Sequence, residues 1–395
     1  MTLNLRYLLL AGTVLALFPS APMAKADTIR TGMLYVADYG TSELDRYQYT
    51  YDITLNTITG FTPYGFGGNT SNAYFLGGSS LPVKEGVQGT SDDLIVVVGA
   101  HGANNPTTLE RFTLDGTYIG TIPVDFTNYG GNNVGIGNVA ITPDGKYEYA
   151  PLETSGYVVK IDLSNGNIVD SYQFAGAHDV AIAPNGDVYA ADYNASGAKV
   201  IRLDSNLNYI QDLVDSAPAG LTSFRPSGLS IASDGSLYVQ DNLHGGPDSV
   251  LHYTFTNNSG ILSANYDPTQ SYIGSGTNNA LEFTFGNNLG PDGNLYIAAL
   301  GGGGSGSFSV TSNYVDGVYE FNPTTGGASL AIQGYTESPS NTAGPSGLVA
   351  PKYLQFDTNF VNSPDAGTLP EPGTTALLLT GFAGLALVKL RRRSS

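Results

Sequence analysis

The feature that most constrains this chain is a repeated trio of short apolar runs. Its clearest copy is residues 178–204, HDVAIAPNGDVYAADYNASGAKVIRLD. His178 to Ala183 alternates apolar and polar side chains, and Pro184-Asn185-Gly186 is a turn sequence. Asp187 to Asp192 and Lys199 to Asp204 supply a second and a third run. Runs this short, bounded by Pro, Asn, Asp and Gly, are strands rather than helices. The second run recurs with starts near Leu34, Leu94, Tyr147, Val188, Leu237 and Tyr296. Spacings of roughly 40 to 60 residues match one four-stranded propeller blade per repeat.

The two ends of the repeat array complement each other. Pro345 to Phe356, PSGLVAPKYLQF, reads like the start of the unit PSGLSIASDGSLYV but lacks the run that should follow. Residues 27–60 hold that following run and lack an inner one. Sharing one blade between the termini leaves no sheet edge open for pairing with neighbours. The expected fold is therefore all-β: a six-bladed β-propeller, with seven blades as the alternative, closed by N- and C-terminal strands over residues 27–358.

Both termini carry address signals that stand outside this fold. Met1 to Arg6 is a short basic segment, Tyr7 to Phe18 is apolar, and Ala24-Lys25-Ala26 is an A-x-A cleavage site. Residues 1–26 are thus expected to be a signal peptide, too short in its apolar part to span a bilayer. Residues 359–369 form a polar linker. After it come Pro370-Glu371-Pro372, an uncharged stretch from Gly373 to Val388 and a basic end, Arg391-Arg392-Arg393. The expected transmembrane segment is 373–390, with the basic cluster on the cytoplasmic side. This order of elements over residues 370–395 resembles the PEP-CTERM sorting signal. The resemblance implies recognition of Pro370, Glu371 and Pro372 by an exosortase-type protease. It also implies an inner-membrane intermediate, then passage to the cell surface or extracellular matrix of a Gram-negative bacterium.

Charge narrows the partners. Ten of the 16 Lys and Arg and 33 of the 34 Asp and Glu lie in residues 27–369, so that body carries about −23. Nucleic acid and anionic lipid are poor partners for it. The chain has no cysteine, so an exported form must be held by core size or by metal.

The repeats P-[DN]-G-x-[LV]-Y and K-V-x-R-x-D resemble those of NHL-type and SMP-30/gluconolactonase-type propellers. In a propeller the first residues of the inner strands converge at one mouth of the channel. Here those positions are Asn138, His178, Asp179, Ser227, Glu282 and Ser346. The SMP-30 resemblance implies a Ca²⁺ ion held by Glu282, Asn138 and Asp179, which would polarise a lactone carbonyl for attack by water. The pattern departs from that family: Glu282 is followed by Phe283-Thr284, and Asp179 stands in His-Asp-Val. The plainer reading makes these residues polar strand ends in a wet channel. The leading functional expectation is a binding or structural module for polysaccharide or an envelope protein, without catalytic residues. A Ca²⁺-dependent lactone hydrolase is the alternative. Asp144, Asn185, Asp234 and Asp292 precede glycine and read as turn formers. Asp204-x-Asn206-x-Asn208 begins like a calcium loop, but Tyr209 replaces the needed glycine. His101, His178, His244 and His252 lack zinc-ligand spacing.

Overall fold

A computed structural model describes residues 28–38, 43–64, 84–89, 93–98, 108–114, 118–131, 134–194, 197–221, 223–242, 248–274, 281, 284–299, 315–336, 348 and 351–361. Residues 31–361 make one compact unit; 1–30 and 362–395 make another, described only at residues 28–30. The expected signal peptide, the Pro370-Glu371-Pro372 motif, the expected transmembrane segment and the basic end all lie outside the described residues.

The first unit is a β-propeller of six four-stranded antiparallel sheets. Blade 1 contains β1 (Ile29–Asp38), β2 (Glu43–Asp52) and β3 (Thr57–Pro63). Blade 2 is β4 (Lys84–Gly89), β5 (Asp93–Val98), β6 (Thr108–Thr113) and β7 (Tyr118–Ile122). Blade 3 is β8 (Ala140–Ile141), β9 (Tyr147–Leu152), β10 (Tyr157–Asp162) and β11 (Asn167–Gln173). Blade 4 is β12 (Ala177–Ile182), β13 (Val188–Asp192), β14 (Val200–Leu203) and β15 (Tyr209–Val214). Blade 5 is β16 (Pro226–Ile231), β17 (Leu237–Asp241), β18 (Ser249–Asn258) and β19 (Ile261–Tyr266). Blade 6 is β20 (Thr284–Leu289), β21 (Leu295–Ala299), β22 (Val315–Asn322) and β23 (Gly327–Thr336). The inner strand of blade 1 is the last one, β24 (Pro351–Val361), paired antiparallel with β1 from Thr31↔Val361 to Asp38↔Pro351. The shared terminal blade is therefore present, and β24 runs past Asp357 into the polar stretch that follows.

Burial explains why the second strands carry the strongest repeat signal. β13 and β17 are covered on both faces by neighbouring blades and are buried at every residue. Outer strands meet solvent on one face and alternate, as in β11. Along β13, Val188 and Ala190 face blade 3, while Tyr189 and Ala191 face blade 5. The described core consists of six apolar clusters, one at each seam between consecutive blades.

Polar groups latch the seams as well. The second-strand tyrosines reach into the next blade: Tyr35 Oη donates to Leu114 O (2.8 Å) and Tyr149 Oη to Ser205 O (2.8 Å). Third-strand cations use the same hairpins. Arg46 donates to Leu114 O (3.0 Å), Lys160 to Ser205 O (2.8 Å) and Arg202 to Gly260 O (2.7 Å). This is the physical content of the basic position in the third run. The turn formers behave as expected: Asp144 and Asp234 accept the backbone N–H two residues on, and the following Gly145 and Gly235 have φ of 69° and 85°. The Asp204 carboxylate likewise accepts the N–H groups of Asn206 and Asn208, closing a hairpin turn.

Inner strands approach so closely that Gly137 has no room for a side chain. A methyl there would collide with the carbonyl oxygen of His178, which already accepts from Asn138 N at 3.2 Å. A Gly137→Ala chain is expected to lose about 1–3 kcal/mol of stability through overpacking. Chemical denaturation measures this, and an unchanged midpoint would refute the seam geometry.

Candidate functional site

The turns that follow the inner strands set a common register around the channel. Gly137, His178, Ser227, Phe285 and Lys352 occupy the first level. Asn138, Asp179, Gly228, Gly286 and Tyr353 occupy the second. Beyond them come Val139, Val180, Leu229, Asn287 and Leu354, then Ala140, Ala181, Ser230, Asn288 and Gln355.

Aromatic rings close the channel at the first two levels. The His178 ring lies 5.5 Å from Phe285, 4.9 Å from Tyr193 and 6.3 Å from Tyr353. His178 belongs to blade 4 and Tyr353 to blade 1, on opposite sides of the ring, so these side chains meet across the axis. His178 and Tyr353 are buried. His178 Nδ1 donates to Ser227 O at 2.8 Å, because a carbonyl can only accept, and its Nε2 faces Glu153 Oε1 at 3.4 Å. The Arg225 guanidinium lies 4.3 Å from the Tyr193 ring and the Lys352 ammonium 5.0 Å from Phe285. Such contacts let cations share an aromatic plug.

Directly inside the plug sits Asp179, fully buried. Its carboxylate accepts from Leu229 N at 3.3 Å and faces Asn138 Nδ2 at 3.4 and 3.5 Å. It thereby ties blades 3, 4 and 5 together. Burial raises its pKa well above the usual carboxylate value, against the opposing effect of these N–H donors. Asn138 Oδ1 is buried with no hydrogen-bond partner.

From Asn138 the channel widens into a cavity of about 530 Å³, bordered by Pro143, Pro184 and Ser233 in the turns after the inner strands. Its described wall is aliphatic, amide and hydroxyl: Val180, Ile182, Leu229 and Ile231 alternate with Ser230, Asn287, Asn288 and Gln355. Asn287 accepts from Ser230 Oγ (2.5 Å) and donates to Gln240 Oε1 (3.2 Å); Asn288 donates to Gln355 Oε1 (3.3 Å).

Two of the three expected calcium ligands, Asn138 and Asp179, are thus neighbours. Glu282 and Ser346 lie outside the described residues, as do His101 and His244. Among the described residues no group of three His, Asp or Glu side chains is arranged to hold a metal ion. The donors on Asp179 make an inter-blade knot from the pair that is described. Ser227 is buried, its hydroxyl donating to Thr284 O at 3.0 Å. Among the described residues, rings pack the channel around His178, and the cavity lies beyond Asn138 towards the turns. Its wall residues Asn287, Asn288 and Gln355 escaped the sequence reading. Their signal was there, as amides at inner-strand positions that hold Val, Ala or Leu in other blades.

No family model and no curated protein matches this chain. Among solved structures it is similar to one of a nidogen/laminin complex, at 12% identity over 82% of this chain and 98% of that one, with a TM-score of 0.52. It is also similar to a candidate 6-phosphogluconolactonase from Bacteroides uniformis, at 15% identity over 83% and 100% of the two chains, TM-score 0.49. A third is the periplasmic gluconolactonase of Pseudomonas aeruginosa, at 13% identity over 82% and 99%, TM-score 0.47. Identities this low establish likeness of fold alone.

Proposed function

We propose that this chain is an exported, surface-sorted propeller that acts as a binding module of the cell envelope or extracellular matrix. The observation that carries the binding role is the channel cavity, whose described wall offers hydrogen-bonding amides and hydroxyls set among aliphatic side chains. Such a wall holds a ligand by shape and hydrogen bonds. The address rests on the terminal sequences: the A-x-A site ending at Ala26, and Pro370-Glu371-Pro372 followed by an apolar stretch and Arg391-Arg392-Arg393. Replacing Pro370-Glu371-Pro372 by alanines is expected to leave the protein in the inner-membrane fraction. Undiminished arrival at the surface would sink the sorting half of the reading.

A second reading, Ca²⁺-dependent lactone hydrolysis, draws on the contact between Asn138 and Asp179. Melting the purified chain with Ca²⁺ and with chelator separates the two. A metal that binds only the folded state raises the melting temperature by mass action. A rise abolished by Glu282→Gln would favour the hydrolase; equal melting in both conditions favours the binding module.

A further inference from the structure

We propose that the channel is a blind socket for the end of an uncharged, hydroxyl-rich chain, in chemical terms a terminal unit of a neutral glycan. This rests on the binding-module reading and names the site and the ligand class. Two observations carry it.

The first is the chemistry of the wall. The described lining from Asn138 to the turn mouth contains aliphatic, amide and hydroxyl side chains and no ionised one. A charged group entering it would lose its hydration and find no counter-charge among the described lining residues, a cost of several kcal/mol. An apolar ligand would instead cover Asn288 and Gln355 without meeting their hydrogen-bonding capacity. A sugar ring presents C–H faces to aliphatic walls and hydroxyls to amides, and so matches both halves.

The second is closure. Rings from His178, Phe285 and Tyr353 fill the axis beyond Asn138, so a polymer cannot thread through and must enter by an end. At about 530 Å³ the cavity lies in the range of small-molecule sites, roughly 300–1,000 Å³.

The test is calorimetric titration of the purified full-length chain with linear neutral hexasaccharides (malto-, cello- and manno-series), with hexagalacturonate, and with cyclomaltohexaose, which has no chain end. One or more of the linear neutral probes is expected to bind, and hexagalacturonate and the cyclic probe to bind at least tenfold more weakly. The double variant Asn288→Leu/Gln355→Leu should weaken the linear probe at least tenfold. Its melting temperature is expected to fall, because these amides also bond the Phe356 backbone N–H and carbonyl. If the double variant fails to fold, linear against cyclic binding by the unaltered chain decides. Linear and cyclic probes binding alike, or binding untouched by the folded double variant, would overturn the socket while leaving the binding-module reading in place. Tighter binding of hexagalacturonate, or no binding by any neutral probe, would also overturn it; the sorting test stands apart from all of these.

Discussion

A Glu148→Met chain is expected to be more stable than the natural one at pH 7, by roughly 3 kcal/mol, with the advantage growing towards pH 8. Glu148 lies in the middle of blade 3, paired across the sheet with Ile141 on one side and Ile161 on the other. Cross-strand partners share a face, so its carboxyl sits among the aliphatic side chains of the seam with blade 2. It is fully buried, and neither oxygen has a hydrogen-bond partner. Burial pushes its pKa from 4.5 up to about 8. The folded state therefore holds a proton that the unfolded state releases near pH 4.5. The stability tied to this group is complete below about pH 4.5 and drains away as pH rises towards 8. The loss across that window is on the order of 5 kcal/mol. Methionine fills a similar volume without a charge to neutralise. Urea denaturation at several pH values should give diverging curves, the natural chain falling and the variant falling less. Other buried acids such as Asp179 titrate in both proteins, so the difference isolates position 148. Parallel curves would show that Glu148 is solvated.

The second large effect is expected at the closing seam. Phe356 on β24 is 2% exposed and meets Tyr49 (5.3 Å) and Tyr296 (4.9 Å) edge to face. Phe61 completes the group at 6.4 Å. These rings come from blades 1 and 6 and from both ends of the chain, and Tyr49 Oη donates to Asp357 O at 2.9 Å. Truncation to alanine should cost about 3–5 kcal/mol, the transfer term plus the cavity left behind. The same truncation at Tyr209, which is 48% exposed on an outer strand, should cost far less. Denaturation midpoints of the two variants check this. Equal small losses would mean that the ring does not depend on the shared blade.

The fold was legible because propeller repeats write their geometry locally. A doubly covered second strand is mostly apolar, and an inner hairpin favours a turn through Asp-Gly or Asn-Gly, so Val188 to Asp192 and Asn185-Gly186 could be placed from sequence. Even the shared terminal blade could be read, since Pro345 to Phe356 lacked a partner that residues 27–60 possessed. The site was less legible. Whether an inner-strand residue closes the channel or lines it depends on rings reaching across from the opposite blade. His178 and Tyr353 are 175 positions apart in the chain and carry no mark of meeting. Glu148 was hidden for a related reason: Tyr-Glu-Tyr in a strand suggests a solvated carboxylate, and only the cover supplied by blade 2 makes it a buried acid.

The pairing of β1 with β24 also fixes an order of events. Among the described strands β1 is made first, yet the strand that completes its sheet, β24, follows some 300 residues later. Until Val361 has been delivered, β1 has an open edge and the aromatic group around Tyr49 lacks Phe356. Contacts so distant in sequence are slow to form and leave strand edges exposed while they wait. A ring of this design therefore closes only once β24 has been made.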